Sequence, residues 1–96
     1  MDAAKLLKEK RELILAIAAK RGARNVRVFG SVARGDYDEK SDIDFLVDME
    51  KGRTLLDVGG LLMDLQELLG CNVDIVTEKA LKARVREEIL REAIPV

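Results

Sequence analysis

The chain has 96 residues, 48% of them hydrophobic and 36% charged, with a formal net charge of -1. That balance excludes a disordered polyelectrolyte and provides no general basic footprint for nucleic acid. The single cysteine, Cys71, precludes an internal disulfide, and the lack of histidine excludes Ser-His and Cys-His catalysis and any imidazole metal site.

One core is expected at this length, hence a single domain over residues 1–96, burying only about 60–65% of the surface its unfolded chain exposes. The N-terminal segment MDAAKLLKEKRELIL is charged and helical rather than an apolar signal core, and no apolar run approaches the roughly 20 residues needed to cross a bilayer. A cytoplasmic location without membrane association is the expectation.

Leu6, Leu7, Leu13, Ile14, Ile17 and Ala18 recur at helical spacing and predict one helix over residues 2–21, stopped by Gly22. Asn25-Val26-Arg27-Val28-Phe29 alternates and runs into Gly30-Ser31, which reads as a strand entering a turn. Residues 31–34 can form one helical turn ended by Gly35, and residues 36–41 a polar loop. A second strand is predicted over residues 41–48, with Ile43, Phe45 and Val47 on one face and Asp42 and Asp44 on the other. Thr54 can cap a helix carrying Leu55, Val58, Leu61, Leu62, Leu65, Leu68 and Leu69, closed by Gly70. Gly59-Gly60 costs that helix about 1 kcal/mol per glycine relative to alanine, so close packing of helix on sheet is expected there, with a kink as the alternative. Residues 71–76 form a third predicted strand, and Thr77 can cap a last helix through Leu81, Val85, Ile89 and Leu90. The expected fold is α+β in two layers, a small mixed sheet of about three strands with helices on one face and carboxylates on the other.

Seven of the eighteen acidic residues lie between Asp36 and Glu50, opposed within that stretch only by Lys40. Asp42 and Asp44 would point to the same side of a strand, about 6–7 Å apart along the chain. Two carboxylates about 5 Å apart repel by roughly 3 kcal/mol at an effective dielectric near 20. A divalent cation removes that cost, and an all-oxygen site favours a hard ion such as Mg²⁺. A lone Asp-x-Asp is usually a solvated strand face. Here a third acid, Asp74, stands between Val73 and Ile75 in the next strand, so three carboxylates converge if the two strands are neighbours. Gly30 lets backbone N–H groups approach a phosphate, and the Ser31 hydroxyl can bond a phosphate oxygen or merely cap its own turn.

Gly30-Ser31, ten residues, then Asp42-Ile43-Asp44 resembles the Gly-Ser-x10-Asp-x-Asp signature of the DNA polymerase β-like nucleotidyltransferase superfamily. GSVARGDYDEKSDIDFLV, Asp74 within VDIV and the closing REAIPV resemble its minimal nucleotidyltransferase branch, often the antitoxin partner of a HEPN-domain toxin. The resemblance covers nearly the whole chain and implies that Asp42, Asp44 and Asp74 are catalytic and ligate two Mg²⁺ ions. It places Gly30, Ser31 and Arg34 near the phosphates of an NTP, with ATP as donor; Arg34 reads equally well as a partner of Asp36 or Asp38. It further implies AMP transfer to a tyrosine hydroxyl of the toxin; the sequence leaves open whether the chain forms a homo- or hetero-oligomer, and its charge balance leads us to expect no direct nucleic-acid binding. Two other readings remain: a catalytically silent antitoxin acting by steric binding, and a small-molecule, drug-modifying transferase. The predicted elements leave nothing to form a second wall over the site, so a partner is expected to supply it. Tyr37 reads as a loop residue, Lys51 and Arg53 as a solvated loop able to reach a triphosphate, and Cys71 as packing.

Overall fold

The computed structural model describes residues 2–38 and 41–96; the acidic-loop residues Glu39 and Lys40 lie outside the described residues. The predicted first helix is two, α1 (Ala3–Glu9) and α2 (Arg11–Lys20), turning at Lys10. Asp2 caps α1 by accepting from the Ala4 and Lys5 amides at 3.0 and 3.3 Å. Lys10 and Arg11 interrupt the apolar stripe between Leu7 and Ile14, both of which are buried.

Strand β1 (Ala23–Phe29) begins two residues earlier than its alternation suggests. Its register against the next strand shifts between Arg24 and Arg27, and Asn25 takes φ 52°. This bulge lets Ala23 and Val26, three apart, both face inward; asparagine tolerates the left-handed conformation it needs. After the short helix α3 (Ser31–Arg34) come β2 (Ile43–Met49), α4 (Leu55–Leu69) and β3 (Val73–Thr77). Strand β2 runs antiparallel to β1 and parallel to β3, with α4 as the crossover.

Helix α4 starts in a capping box: Thr54 accepts from the Leu56 amide at 3.2 Å, and the Thr54 amide donates to Asp57 at 3.1 Å. Leu61, Leu65 and Leu69 pack from α4, and Ile14 and Ala18 from α2, into the core that Ile43, Phe45 and Val47 enter from β2. The two glycines of α4 do not meet the sheet, because the leucine stripe takes that face. A Cβ on Gly60 would lie 2.6 Å from the Arg21 guanidinium, which crosses there to Asp64 at 2.9 Å, while Gly59 faces open space.

The C-terminal quarter departs furthest from expectation. Thr77 ends β3 and caps no helix; a 3-10 turn (Glu78–Ala80) intervenes, and α5 starts only at Ala83 (Ala83–Glu92) because Leu81 and Lys82 are extended. A fourth strand, β4 (Ile94–Pro95), pairs antiparallel with β1, giving the order β3-β2-β1-β4. Two residues ending in proline make no recognisable strand pattern, although proline is acceptable at a sheet edge. The carboxylate face of the sheet is not left bare. Leu46 is fully buried on it, and α5 is tied near one end to Glu78 by Arg86 and at the other to Gly30 by Glu92. Among the described residues, no helix is long and apolar enough to cross a membrane.

Candidate active site

Pairing of β2 with β3 sets Asp44 directly opposite Asp74 on adjacent parallel strands, about 4.8 Å apart in backbone spacing. Asp42 lies one residue before β2 and close enough for its charge to act on Asp44. On the other side Asp44 pairs with Phe29, the residue before Gly30. Gly30 adopts φ 73° and ψ -149°, a region essentially reserved for glycine. A Cβ there would fall 2.3 Å from Asp44 Oδ2, so the carboxylate lies against the bare glycine backbone. The two halves of the motif, separated in sequence, are in contact.

The electrostatics follow from this crowding. Burial pushes the Asp44 carboxyl above its ordinary value, the charges of Asp74 and Asp42 raise it further, and Arg34 opposes them. A carboxylate so raised, beside two others, suits a hard divalent cation that restores its ionised form. No preformed cage of three acidic or cysteine ligands exists among the described residues. Mg²⁺ does not require one, since it usually keeps several waters and takes one or two carboxylates plus substrate phosphates. The donor set therefore fits Mg²⁺.

Ser31 opens α3, its carbonyl accepting from the Gly35 and Asp36 amides at 2.9 and 3.0 Å, and Gly35 closes the turn with φ 84°. Arg34 bonds Asp36 at 3.3 Å, as one of its two sequence readings had it. It also reaches Glu92 at 3.3 Å, and Glu92 accepts from the Gly30 amide as well. Glu92 carries no local signal that would single it out: it stands 62 residues from Gly30 in a charged helix.

Several nearby polar and reactive residues lie outside the site or are engaged elsewhere. Asp48 shares the face of Asp44 but is bound by Arg27 at 3.0 Å and by Asn25 at 3.1 Å. Burial would raise its carboxyl, yet these partners hold it below the usual range. Lys51 and Arg53 follow the opposite end of β2 and line a cleft of about 680 Å³ with Arg24, Lys79 and Arg86. Arg53 there pairs with Asp57 at 3.4 Å and Glu50 at 3.7 Å. Tyr37 and Cys71 are packed side by side against the core, where burial raises both.

The sequence profile of the nucleotidyltransferase domain matches residues 10–96. The chain belongs to the nucleotidyltransferase family. A curated relative in Thermococcus cleftensis, named protein adenylyltransferase MntA, is 43% identical over 75 residues, covering 78% of this chain and 76% of its own. A solved structure described as a candidate minimal nucleotidyltransferase superposes with a TM-score of 0.90 at 54% identity, covering 100% of this chain and 97% of that one. A toxin–antitoxin structure with AMP-PNP shares the fold at a TM-score of 0.74 and 19% identity, over 88% of this chain and 69% of that one. The chain is thus a nucleotidyltransferase with the polymerase β-like fold, and the motif that carried the resemblance is spatially assembled.

Proposed function

We propose that this nucleotidyltransferase is a single minimal domain that transfers AMP from ATP to a tyrosine hydroxyl of a HEPN-domain toxin, and so acts as its antitoxin. The observation that carries the reading is the contact of Gly30 with Asp44, with Asp74 in register beside it. The protein target is supported by the name of the Thermococcus relative, and the toxin by the motif resemblance and by the toxin–antitoxin assembly that shares this fold.

In this reading Asp42, Asp44 and Asp74 would hold two Mg²⁺ ions. Their chemistry, when bound, is to neutralise phosphate charge and to make the acceptor oxygen a better nucleophile. Gly30 admits the triphosphate close to its backbone, and Ser31 and Arg34 bond its oxygens. The tyrosine hydroxyl gives up its proton to solvent, its oxygen attacks the α-phosphorus in line, the bond from that phosphorus to the bridging oxygen breaks, and pyrophosphate leaves with that electron pair. Positioning and charge complementarity supply the rate, so no histidine is required. The site opens on the surface, and the partner that carries the acceptor closes it.

The test is incubation with ATP, Mg²⁺ and the cognate toxin, read by intact mass. An increase of about 329 Da per event, the mass of AMP added as pyrophosphate is lost, is expected on the toxin. Neutralisation should require Asp42 and Asp44. Equal protection of cells by the Asp42→Asn, Asp44→Asn double variant at equal expression would establish the steric antitoxin instead.

A further inference from the structure

Glu92 occupies a position that a nucleotide would want. Its carboxylate accepts from the Gly30 amide and from the Arg34 guanidinium, which lies 3.3 Å away. These are two of the groups assigned above to phosphate. A carboxylate and a phosphate oxygen cannot share one amide hydrogen and one guanidinium edge, and both are anions. Glu92 also adds to the negative potential on Asp44.

The segment carrying Glu92 is held lightly. No residue of α5 is fully buried, β4 is two residues long, and Ile94 is 47% exposed. Besides the Glu92 contacts, this arm is tied by the short β1 pairing, Val96 to Val26 at 3.1 Å, Arg11 to the Val96 carbonyl at 2.9 Å, Arg86 to the Glu78 carboxylate at 2.8 Å and to its carbonyl at 2.9 Å, and the half-buried Val96 side chain against the core. Few buried apolar contacts and a short edge pairing are the features of a segment that opens at low free-energy cost.

We propose that Glu92 is an internal competitor for the nucleotide's phosphates, carried on an α5–β4 arm that must withdraw it from Gly30 and Arg34 before a triphosphate can bind. The inference rests on the placement of the triphosphate at Gly30 and Arg34. It makes α5 the element through which nucleotide and a docked partner sense each other, because a partner that holds α5 away from Gly30 would raise ATP affinity by the free energy otherwise spent on opening.

The experiment is calorimetric titration of the full chain with MgATP and, separately, with inorganic tripolyphosphate. Wild type is compared with Glu92→Gln, Glu92→Ala and Glu88→Gln, each checked for folding by thermal melting. The Gln variant keeps the side chain's size and an acceptor oxygen while losing its charge. Both Glu92 variants should bind both ligands about tenfold more tightly, the scale of a like-charge repulsion removed at close range. Glu88→Gln removes the same charge one turn earlier and should bind as wild type. In amide hydrogen exchange, MgATP should accelerate exchange across residues 83–96 of the wild type. Unchanged or weaker binding by the Glu92 variants would overturn the proposal alone and make Glu92 a support of the Gly30 turn. An equal gain in Glu88→Gln would overturn it in favour of a general charge effect. Failure of all four proteins to bind either ligand would overturn it together with the placement of phosphates on which it rests.

Discussion

Asp44 is the residue whose surroundings oppose its charge most clearly. Its folded pKa is raised above the reference of 3.8, first by burial and then by Asp74 and Asp42. Folding therefore favours its protonated form, and that contribution to stability is fully present below pH 3.8 and lost as pH rises through the raised value. At neutral pH and without metal, Asp44 costs the fold stability. Asp44→Asn should melt higher than wild type in a chelator at pH 7, with the gap closing as the pH falls below the carboxylate range. A variant less stable at pH 7 would mean that the carboxylate makes a compensating contact. Gly30 is constrained from two sides, by its backbone angles and by the Asp44 carboxylate. Gly30→Ala should cost about 1–3 kcal/mol in urea denaturation from backbone strain. Its effect on single-turnover transfer should be larger than on stability, because the methyl group displaces the carboxylate whose position matters most.

Among the elements, α4 offers a comparison of two adjacent glycines. Alanine is worth about 1 kcal/mol over glycine in a helix interior. Gly59 faces open space, so Gly59→Ala should stabilise by about 0.5–1 kcal/mol. Gly60 lies under the Arg21 guanidinium, whose pair with Asp64 is about one-third exposed on each side and so only weakly stabilising. Gly60→Ala gains the helix propensity and loses most of the pair, so its net change should be close to zero. Chemical denaturation of both variants reads the difference, and transfer activity should be untouched by either. A Gly60→Ala stabilised as much as Gly59→Ala would show the ion pair to contribute nothing.

For the molecule as a whole, the sheet divides the labour. One face carries the core of Ile43, Phe45 and Val47 under α2 and α4, and the other carries Asp44, Asp48 and the buried Leu46. The fold therefore rests on the first face, while the second is free to hold repelling charges. A ligand that binds only the native state stabilises by mass action, about 2.7 kcal/mol at a hundredfold excess over its dissociation constant. Saturating MgATP should raise the melting temperature of the wild type by roughly 10 °C or more, at about 4–8 °C per kcal/mol for a domain of this size. Asp44→Asn should lose most of that shift while retaining its fold. A full shift in the variant would remove Asp44 from the nucleotide and metal site.

The carboxylate site was legible in the chain because it rests on local periodicity. Alternation alone puts Asp42 and Asp44 on one face and Asp74 mid-strand, and glycine before serine marks the turn. The capping box at Thr54 and the stops at Gly22, Gly35 and Gly70 are likewise local, set by hydrogen bonds and φ angles within a few residues. Features that join distant segments were hidden. The turn at Lys10, the bulge at Asn25, the strand at Ile94–Pro95 and the crossing of Arg21 over Gly60 all answer to packing partners far away in sequence. Glu92 is the clearest case. In a charged helix it is indistinguishable from Glu87 or Glu88, and it acquires a role only when β4 pairs with β1 and carries it to Gly30. Local geometry is written in the order of residues, whereas a contact between the first and last thirds of a chain exists only after the core has brought them together.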